Sequence, residues 1–480
     1  MTLNNPDVTR QLRMTTKLAA IILAAGQGKR MRSRLPKVLH PCAGEPLIVH
    51  VVRLALSRKA TPVVVVIDPA GTRTREVLTA AFPKAPLKFA VQEKPLGTGD
   101  AARAGLAVIP SFTGKLLILC GDAPLLRPDS LALLERAAKK ASLALLTAHL
   151  PNPHGYGRIL RAGHQALGIV EEKDATPEQR DLHEVNAGVY LCDADLVRKT
   201  VTRQNRANAQ GEAYLTDLVA RAAQAQGATP VTVADATEIL GTNTRTELAD
   251  AEQILRRRMI RDWQAEGVAF ADPGSVILEG SVKLGADAHI GPGVQMYGQV
   301  RVGAGAIIEG PSVLRDANIE AGARVYAFSH IEGATVKSGA AVGPFARLRK
   351  GAILEEDSRV GNFVELKKTR LGRGAKANHL AYLGDAEIGA KSNIGAGTIT
   401  CNYDGGPVKH ATALGEGAFI GSNTTLVAPV TVAAGAYVAA GSTITKDVPA
   451  DALAFGRARQ ENREGLAARL RARIHSQGQH

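Results

Sequence analysis

A chain of 480 residues is too long for one ordinary hydrophobic core, so we expect two or more domains. Its formal net charge of +14 suggests nucleic acid as a partner, but much of the excess lies in the C-terminal tail and in loops that could face small anionic substrates, so we predict no nucleic-acid partner. No apolar run reaches transmembrane length, and the 4 widely spaced cysteines form neither a CxxC motif nor a disulfide framework, so we expect a reduced, cytoplasmic protein without membrane insertion.

The first half of the chain alternates short apolar runs with helical patterns. Residues 1–16 are polar and patternless, so we expect a disordered N-terminal extension there. A helix is predicted at Asp129–Ala141, after Pro128. Buried strands are predicted at Leu18–Leu23, Val63–Ile67, Leu116–Leu119 and Leu143–Leu146. This alternation indicates a mostly parallel sheet with helices on both faces, and we place the α/β domain at residues 17–246.

A glycine-rich segment, Leu23-Ala24-Ala25-Gly26-Gln27-Gly28-Lys29-Arg30-Met31, follows the first predicted strand. Glycines let a backbone approach phosphate groups, its N–H groups point at the anion, and Arg30 adds positive charge. The G-x-G pattern alone is weak and also fits an ordinary strand-to-helix turn. Here it continues to Leu35-Pro36-Lys37, and the combination predicts a phosphate-binding loop.

Two polar residues are candidates for a cation site. Asp122 follows Gly121 at the end of an apolar strand, where ligands collect in α/β sheets, although taken alone it is more readily a turn residue. Asn243 precedes a helical pattern and can also be read as a helix N-cap; both roles could hold.

The second half of the chain repeats with a period of six. A charged helical pattern at 247–266 predicts a linker helix, and after it aliphatic residues recur at every sixth position. Neither an α-helix nor a simple amphipathic strand has this period, which is typical of short strands coiled into a parallel β-helix. We place the β-helix at 267–456, with a loop at Asn402–Ala413, and a basic C-terminal tail at 457–480. The repeating residues are Leu284, Ile290, Met296, Val302, Ile308 and Leu314; Val336, Val342, Leu348, Leu354, Val360 and Leu366; and Leu414, Ile420, Leu426, Val432, Val438 and Ile444.

The pattern L-x-x-G-x-G-x-R-M followed by L-P-K resembles the sugar-nucleotidyltransferase family. The resemblance implies a Rossmann-like α/β domain in which the glycine-rich loop wraps a nucleoside triphosphate and Arg30 and Lys37 act in catalysis. It also implies Mg²⁺ on Asp122 and Asn243. The implied UTP- and product-binding residues are Leu23, Ala24, Ala25, Gly26, Lys37, Gln92, Gly97, Thr98, Gly157, Glu171, Asn186 and Asn243.

Four segments of the β-helix extend the resemblance over about Leu18 to Arg457. They are Gly343–Arg349, Gly361–Lys368, His379–Asp385 and Asn393–Gly405. Together with the N-terminal motifs they resemble the bacterial family of bifunctional enzymes that join a UDP-N-acetylglucosamine diphosphorylase to a glucosamine-1-phosphate N-acetyltransferase. That family's second domain is a left-handed parallel β-helix.

The resemblance implies roles for individual residues of the β-helix. His379 is the expected general base, although a histidine beside Leu380 is, taken alone, more often a packed surface residue. Glu365 is expected to orient the histidine or the amine, and Lys409 to meet CoA phosphates. The expected amino-sugar-phosphate ligands are Arg349, Lys367, Tyr382 and Asn393; the expected acetyl-CoA ligands are Ala396, Asn402, Tyr403, Ser422, Ala440 and Arg457.

The implied function is acetylation of glucosamine 1-phosphate by acetyl-CoA, followed by transfer of uridylyl from UTP to give UDP-N-acetylglucosamine and pyrophosphate. The product is a precursor of peptidoglycan and lipopolysaccharide, and the implied assembly is a homotrimer. Three positions depart from the family pattern: Lys29 replaces a small hydroxyl residue, Pro95 a glutamine, and Cys120 an aromatic residue. Lys29 is still expected to face phosphate, whereas Pro95 and Cys120 put some base and sugar contacts in doubt.

Two other functions share this architecture. An ADP-glucose-type pyrophosphorylase uses its β-helix for regulation, and it has no use for the polar residues of His379–Tyr382 and Asn393–Tyr403. A non-catalytic assembly subunit normally carries an added helical domain. This chain also keeps Arg30, Lys37 and Asp122, the residues implied in catalysis and metal binding, which argues against such a subunit.

Overall fold

The structure is a computed structural model that describes residues 17–202 and 208–477, so the predicted extension at 1–16 lies outside the described residues. The chain forms two compact units that meet in sequence at Arg258 and Met259. This point lies inside the helix Arg245–Ala265, within the segment predicted as the linker. Each unit is described by itself below.

The first unit contains a mixed sheet and its covering helices. Its strands are β1 (Leu18–Leu23), β2 (Pro41–Cys42), β3 (Glu45–Pro46), β4 (Val63–Ile67), β5 (Leu87–Val91), β6 (Lys115–Cys120), β7 (Leu143–His149), β8 (Arg158–Ala162), β9 (Gln165–Val170), β10 (Glu184–Asp193) and β11 (Ala228–Thr232). Its helices are α1 (Leu47–Ser57), α2 (Thr72–Ala81), α3 (Thr98–Ala107), α4 (Pro128–Ala137), α5 (Pro177–Arg180), α6 (Ala194–Val201), α7 (Asp217–Ala223) and α8 (Arg245–Ala265), with 3-10 turns at Lys29–Met31, Lys37–Leu39 and Ala236–Ile239.

The order of the strands brings the ends of β1 and β6 together. The sheet runs β11-β7-β10-β6-β1-β4-β5, and β1 is parallel to both of its neighbours, β4 and β6. β10 alone in this row runs antiparallel to its neighbours. Because the chain moves from β1 to one side and later to the other, a crevice forms at the carboxyl ends of β1 and β6, where ligands bind in open α/β sheets.

Burial on both faces explains the predicted strands. Val63 to Val66 are 0% exposed, and β1 and β6 are also apolar runs whose inner residues are buried. Apolar side chains on both faces need helices on both sides, which the alternating helices supply. The predicted strands are present, whereas the helix predicted to end at Ala141 ends at Ala137.

The second unit coils short strands around three faces. The first face consists of Ala269–Phe270, His289–Ile290, Ile307–Ile308, Arg324–Val325, Ala341–Val342, Arg359–Asn362, Lys376–His379, Asn393–Ile394, Phe419–Ile420, Tyr437–Val438 and Leu453–Ala454. The long strands Ile277–Leu284 and Gln295–Val302 begin the other two faces. The second face continues with Val313–Arg315, His330–Glu332, Arg347–Leu348, Glu365–Lys367, Tyr382–Gly384, Ile399–Cys401, Thr425–Val427 and Thr443–Ile444, and the third with Asn318–Ile319, Thr335–Val336, Ile353–Leu354, Arg370–Leu371, Ala386–Ile388, Thr412–Leu414 and Val430–Val432.

The six-residue repeat fills the interior of this coil. Every residue of the three predicted runs is buried, and Val336 to Leu366 at that spacing are all 0% exposed. Successive coils pair in parallel, as Leu348 does with Leu366. The segment between Cys401 and Thr412 contains no strand, as the break in the period predicts. The predicted fold class, an α/β domain followed by a parallel β-helix, is confirmed.

One corner of the β-helix carries an unusual row of side chains. At the corner between the first and second faces, eight coils turn at a residue in the left-handed conformation. This conformation costs most L-residues about 1–2 kcal/mol. Gly293, Gly397, Asn423 and Gly441 hold this position in some coils, but in four successive coils apolar residues hold it with φ between 45° and 62°. We call these four the apolar corner row: Phe328, Phe345, Phe363 and Leu380.

The basic tail contains a helix that the sequence did not predict, α9 (Leu466–Gln477). Its apolar residues Leu466, Leu470 and Ile474 are exposed. Among the described residues, no helix is both long enough and apolar enough to cross a bilayer.

Candidate active sites

The glycine-rich loop leaves β1 at the crevice and reaches Lys37. Gly28 has a φ of 58°, and a Cβ added there would lie 2.6 Å from the Cβ of Lys37. A side chain at this position would therefore displace the lysine, which explains the second glycine of the pattern. Arg30 and Lys29 are exposed, while Met31 anchors the loop in the interior.

The two candidate cation ligands lie together with this lysine. The Nζ of Lys37 donates to a carboxylate oxygen of Asp122 and, over 3.1 Å, to Oδ1 of Asn243. The peptide N–H of Thr242 donates to the main-chain carbonyl of Asp122 over 3.0 Å, which ties the segment before α8 to the end of β6. Asp122 and Asn243 thus present two oxygen atoms to one cationic group, the ammonium of Lys37.

Thr244, rather than Asn243, caps α8. The hydroxyl of Thr244 accepts from the N–H of Glu247 over 3.2 Å, and the Glu247 carboxylate accepts from the N–H of Thr244 over 3.0 Å and that of Asn243 over 2.6 Å. This reciprocal capping box fixes the backbone of Asn243 and leaves its side-chain amide directed to Lys37. The N-cap interpretation of Asn243 is therefore wrong, because the N-cap of α8 is the next residue, Thr244.

The segment of Gln92, Gly97 and Thr98, which the resemblance implies in nucleotide binding, is held by internal hydrogen bonds. The amide nitrogen of Gln92, a buried side chain, donates to the carbonyl of Gly97 over 3.1 Å and to Asp100 over 3.0 Å. Both amide protons are thereby engaged, so the group can offer the crevice only its carbonyl oxygen. The hydroxyl of Thr98 accepts from the N–H of Leu215 over 3.1 Å, which fixes the loop against the segment before α7.

Three other residues implied in nucleotide and product binding, Gly157, Glu171 and Asn186, lie close together. The N–H of Asn186 donates to the carbonyl of Gly157, and a Cβ at Gly157 would approach the Glu171 carboxylate to 3.4 Å. Glu171 accepts from the Thr216 hydroxyl over 3.2 Å, while burial raises the pKa of its carboxyl. The Asn186 amide nitrogen donates to the Tyr190 hydroxyl over 2.7 Å, leaving the site lined by polar groups already held in place.

Arg158 follows Gly157 in sequence, but its side chain is buried. It is 1% exposed, pairs with Glu172 over 2.7 Å and donates to the carbonyl of Tyr156. Its function is therefore to hold the loop before β8. Of the three departures from the pattern, Lys29 and Pro95 are exposed, and Cys120 directs its thiol to the carbonyl of Gly188 at 3.7 Å. Burial raises the pKa of this thiol to about 12, so it is neutral at physiological pH.

The second candidate site lies around the apolar corner row. Glu365 pairs in register with Tyr382 on one side of the corner, and Asn362 pairs with His379 on the other. Nδ1 of His379 is 3.1 Å from Oδ1 of Asn362, so the amide oxygen accepts a hydrogen bond from Nδ1–H and the lone pair lies on Nε2. Asn362 therefore orients the exposed imidazole. Sequence reasoning assigned it no role, although it stands in the matched segment beside Phe363.

Glu365, expected to orient the histidine or the amine, contacts Arg349 in the structure. Its carboxylate accepts from a guanidinium nitrogen of Arg349 over 2.9 Å, so it fixes the predicted phosphate ligand rather than the histidine. The Glu365 carboxylate offsets the positive charge of Arg349. Of the two cations, Lys367 therefore has the less compensated charge. Lys367 follows Leu366 on the same strand, which places both cations on the second face.

A polar pair, Asn402 with Asp385, supports Tyr382. Asn402, only 5% exposed, donates to the Asp385 carboxylate over 2.5 Å, and its amide lies 3.5 Å from the Tyr382 hydroxyl. A Cβ at Gly384 would be 2.5 Å from that hydroxyl, so the glycine gives the ring its space. Asn402 thus supports Tyr382, an expected amino-sugar ligand. The exposed Tyr403 ring receives the Lys409 ammonium at 3.2 Å from its centre.

The remaining predicted acetyl-CoA residues follow the same corner through the next coils. The N–H of Asn423 donates to the carbonyl of Ala396, and that of Gly441 to the carbonyl of Ser422. A Cβ at Gly441 would lie 3.7 Å from the Arg457 side chain. Ser422, Ala440 and Arg457 are exposed, so these residues form an open track that begins in the coil after His379.

Comparisons with known proteins cover both units. The family described as the MobA-like NTP transferase domain matches residues 20–266. A protein of Sorangium cellulosum named bifunctional protein GlmU is 47% identical over 469 residues, 96% of this chain and 98% of the relative. Proteins of the same name from Anaeromyxobacter and Thermus thermophilus are 50% and 49% identical over 96% and 94% of this chain, and 95% and 98% of their own lengths.

Among solved structures, a chain described as a putative glucose-1-phosphate thymidylyltransferase from Bacillus anthracis aligns with 50% of this chain and 95% of its own, at 20% identity and a TM-score of 0.42. A likeness of that size carries no argument. The full-length relatives decide the assignment, because their matches at 47% to 50% identity span both units of this chain. The chain belongs to the GlmU family of bifunctional proteins.

Proposed function

We propose that the chain acetylates glucosamine 1-phosphate with acetyl-CoA and then transfers uridylyl from UTP to the N-acetylated product, releasing pyrophosphate. The observation that carries the proposal is the presence of two complete polar constellations, Lys37 with Asp122 and Asn243 in the first unit, and His379 with Arg349 and Lys367 in the second.

The decisive experiment supplies each half-reaction separately and follows pyrophosphate and the free CoA thiol. An ADP-glucose-type enzyme would instead release pyrophosphate from ATP and glucose 1-phosphate and no thiol, and an assembly subunit would release neither.

In the uridylyl transfer the nucleophile is a phosphate oxygen of the sugar phosphate, which is already an anion and needs no general base. It attacks the α-phosphorus, a new P–O bond forms in line, and the bond to pyrophosphate breaks with its electron pair. Lys37 and Arg30 neutralise the phosphates, so catalysis is mainly positioning and electrostatic stabilisation. The free carbonyl oxygen of Gln92 suits the N3–H of uracil and disfavours cytosine, whose N3 is an acceptor.

The residues present fit a magnesium ion. A carboxylate and an amide oxygen already surround a cationic group, and Mg²⁺ prefers oxygen ligands while keeping several waters and substrate phosphates. Asp122 and Asn243 would hold it. When bound, Mg²⁺ supplies positive charge that stabilises the phosphates during the displacement.

In the acetyl transfer His379 removes a proton. Nε2 accepts it from the amino group of the sugar, the amine nitrogen forms a bond to the thioester carbonyl carbon, and the C–S bond breaks. The proton on the imidazole then neutralises the departing thiolate, which closes the proton balance. Arg349 and Lys367 hold the sugar phosphate, and the track from Ala396 to Arg457 receives acetyl-CoA.

Asn362→Ala is expected to reduce kcat for acetyl transfer, but less than removal of the imidazole, because the ring keeps its base and loses only its orientation. Initial rates of thiol release measure this, and Asn362→Asp, which retains an acceptor for Nδ1–H, is expected to recover part of the loss. Equal activity of Asn362→Ala and the parent chain would contradict the orienting role.

We also propose a homotrimer in the cytoplasm. The free state of all four cysteines supports a reducing compartment. The assembly is supported by the apolar corner row, whose side chains are 47% to 61% exposed and whose phenyl rings stack at 4.8 and 5.4 Å. Glycine would satisfy this corner without strain, so folding of one chain does not explain four bulky apolar residues there. Burial against a neighbouring copy does.

Phe345→Gly with Phe363→Gly is therefore expected to weaken assembly while the fold persists, because glycine suits the left-handed corner. Light scattering should give the mass of three chains for the parent and a lower mass for the variant at the same concentration. Leu133→Ala, which truncates an exposed leucine of the first unit, is the matched control and should remain a trimer. A monomeric parent with full acetyltransferase activity would contradict the proposal.

A further inference from the structure

A lysine of the chain contacts both oxygens expected to bind the divalent cation. Lys37 donates from Nζ to Asp122 and, over 3.1 Å, to Asn243. The Lys37 and Asp122 side chains are only 13% and 19% exposed, so water replaces little of this contact. An ammonium thus stands where two oxygen donors converge.

The backbone of Lys37 cannot move with its ammonium. The residue begins a 3-10 turn whose next residues, Val38 and Leu39, are 4% and 5% exposed. Its Cβ lies against Gly28, in the space that a Cβ there would occupy at 2.6 Å. Only the flexible stem beyond Cβ can carry the ammonium from one anion to another, and a lysine stem allows this.

We propose that Lys37 is an internal counter-ion: its ammonium occupies the divalent-cation site of the nucleotide-free protein and is displaced from it when metal and nucleotide bind. The inference rests on the proposed uridylyl transfer. A divalent cation and an ammonium repel each other at the same carboxylate, so the metal must break the contacts of Lys37 to enter. The triphosphate offers the displaced ammonium a second anion, whereas without nucleotide the loss is not compensated.

Metal and nucleotide binding are coupled in consequence. Each ligand removes part of the cost of binding the other, and such coupling is reciprocal. We therefore expect that removing the ammonium strengthens metal binding in the absence of nucleotide. The same change is expected to weaken binding of the nucleotide phosphates.

The test measures Mn²⁺ binding to the full chain without nucleotide, from the electron paramagnetic resonance signal of the free ion. Lys37→Met is expected to bind Mn²⁺ about ten-fold more tightly than the parent, a typical size for coupling between sites. Lys37→Gln is measured beside it, so that the result does not depend on the folding of one variant. Lys37→Arg keeps a cation near Asp122 and should stay close to the parent.

Lys29→Met is the matched control, because it removes the same charge from the same loop without a contact to Asp122, and its Mn²⁺ affinity should stay close to that of the parent. Unchanged or weaker Mn²⁺ affinity in both neutral variants of Lys37 would overturn the inference. Asp122→Asn separates this from failure of the proposed function. If it loses Mn²⁺ while the Lys37 variants gain nothing, only the displacement is wrong; if it binds Mn²⁺ like the parent, the metal site itself is wrong.

Discussion

Asp122→Ala is expected to abolish pyrophosphate release while CoA release continues at a rate near that of the parent chain. The substitution removes the carboxylate that, with the Asn243 amide, is proposed to hold the cation at the end of β6. Without Asp122, the ammonium of Lys37 loses its carboxylate partner. The substrate phosphates also lose the bound cation, whose positive charge offsets their negative charge. CoA release reports on residues of the second unit, so it also serves as an internal check that the protein is intact.

Pyrophosphate is followed with UTP and N-acetylglucosamine 1-phosphate over a series of magnesium concentrations. Asp129→Ala is the matched control, because that carboxylate is 88% exposed near the start of α4 and should leave both activities unchanged. Normal magnesium-dependent uridylyl transfer by Asp122→Ala would remove this residue from the metal site.

Local burial made most of the fold predictable. Leu18–Leu23 and Val63–Ile67 are strands with the predicted limits because each is an apolar run buried on both faces. Leu348 and Leu354 are buried as predicted, since only a coil of short strands directs every sixth side chain inward. The helix Leu466–Gln477 was missed because its charged and apolar residues are exposed, so burial imposes no pattern on it.

The contacts between polar side chains were predictable only in part. The sequence marked Asp122, Asn243 and Lys37, and the structure brings all three together. It did not indicate that Thr244 would cap α8, because several neighbouring residues can cap a helix and the choice depends on the position of Glu247 one turn later.

The contact of Glu365 with Arg349 was also not predicted, because the choice of partner depends on which side of a coil the side chain faces. Arg347 and Glu365 pair in register on the second face, near Arg349, whereas Asn362 and His379 pair on the first. A period of six gives inward positions reliably but does not give the contacts between outward side chains of different coils.

His379→Ala is expected to lower the rate of acetyl transfer by roughly 10²–10⁴-fold, the range typical for loss of a general base. Uridylyl transfer should be unchanged when N-acetylglucosamine 1-phosphate is supplied, because every residue assigned to that step lies in the first unit. The imidazole is exposed and its orientation depends on one amide, so its removal should disturb the chemistry far more than the fold. The two rates are measured on the same preparation from thiol and pyrophosphate release.

His289→Ala is the matched control, since that histidine is also exposed on the first face but lies several coils before the site. It should keep both activities. Acetyl transfer at the parent rate by His379→Ala would show that another group accepts the proton. Loss of both activities in a variant that remains folded by circular dichroism would contradict the two-site arrangement, because a base that acts only on an amine has no function in a displacement whose nucleophile is already an anion.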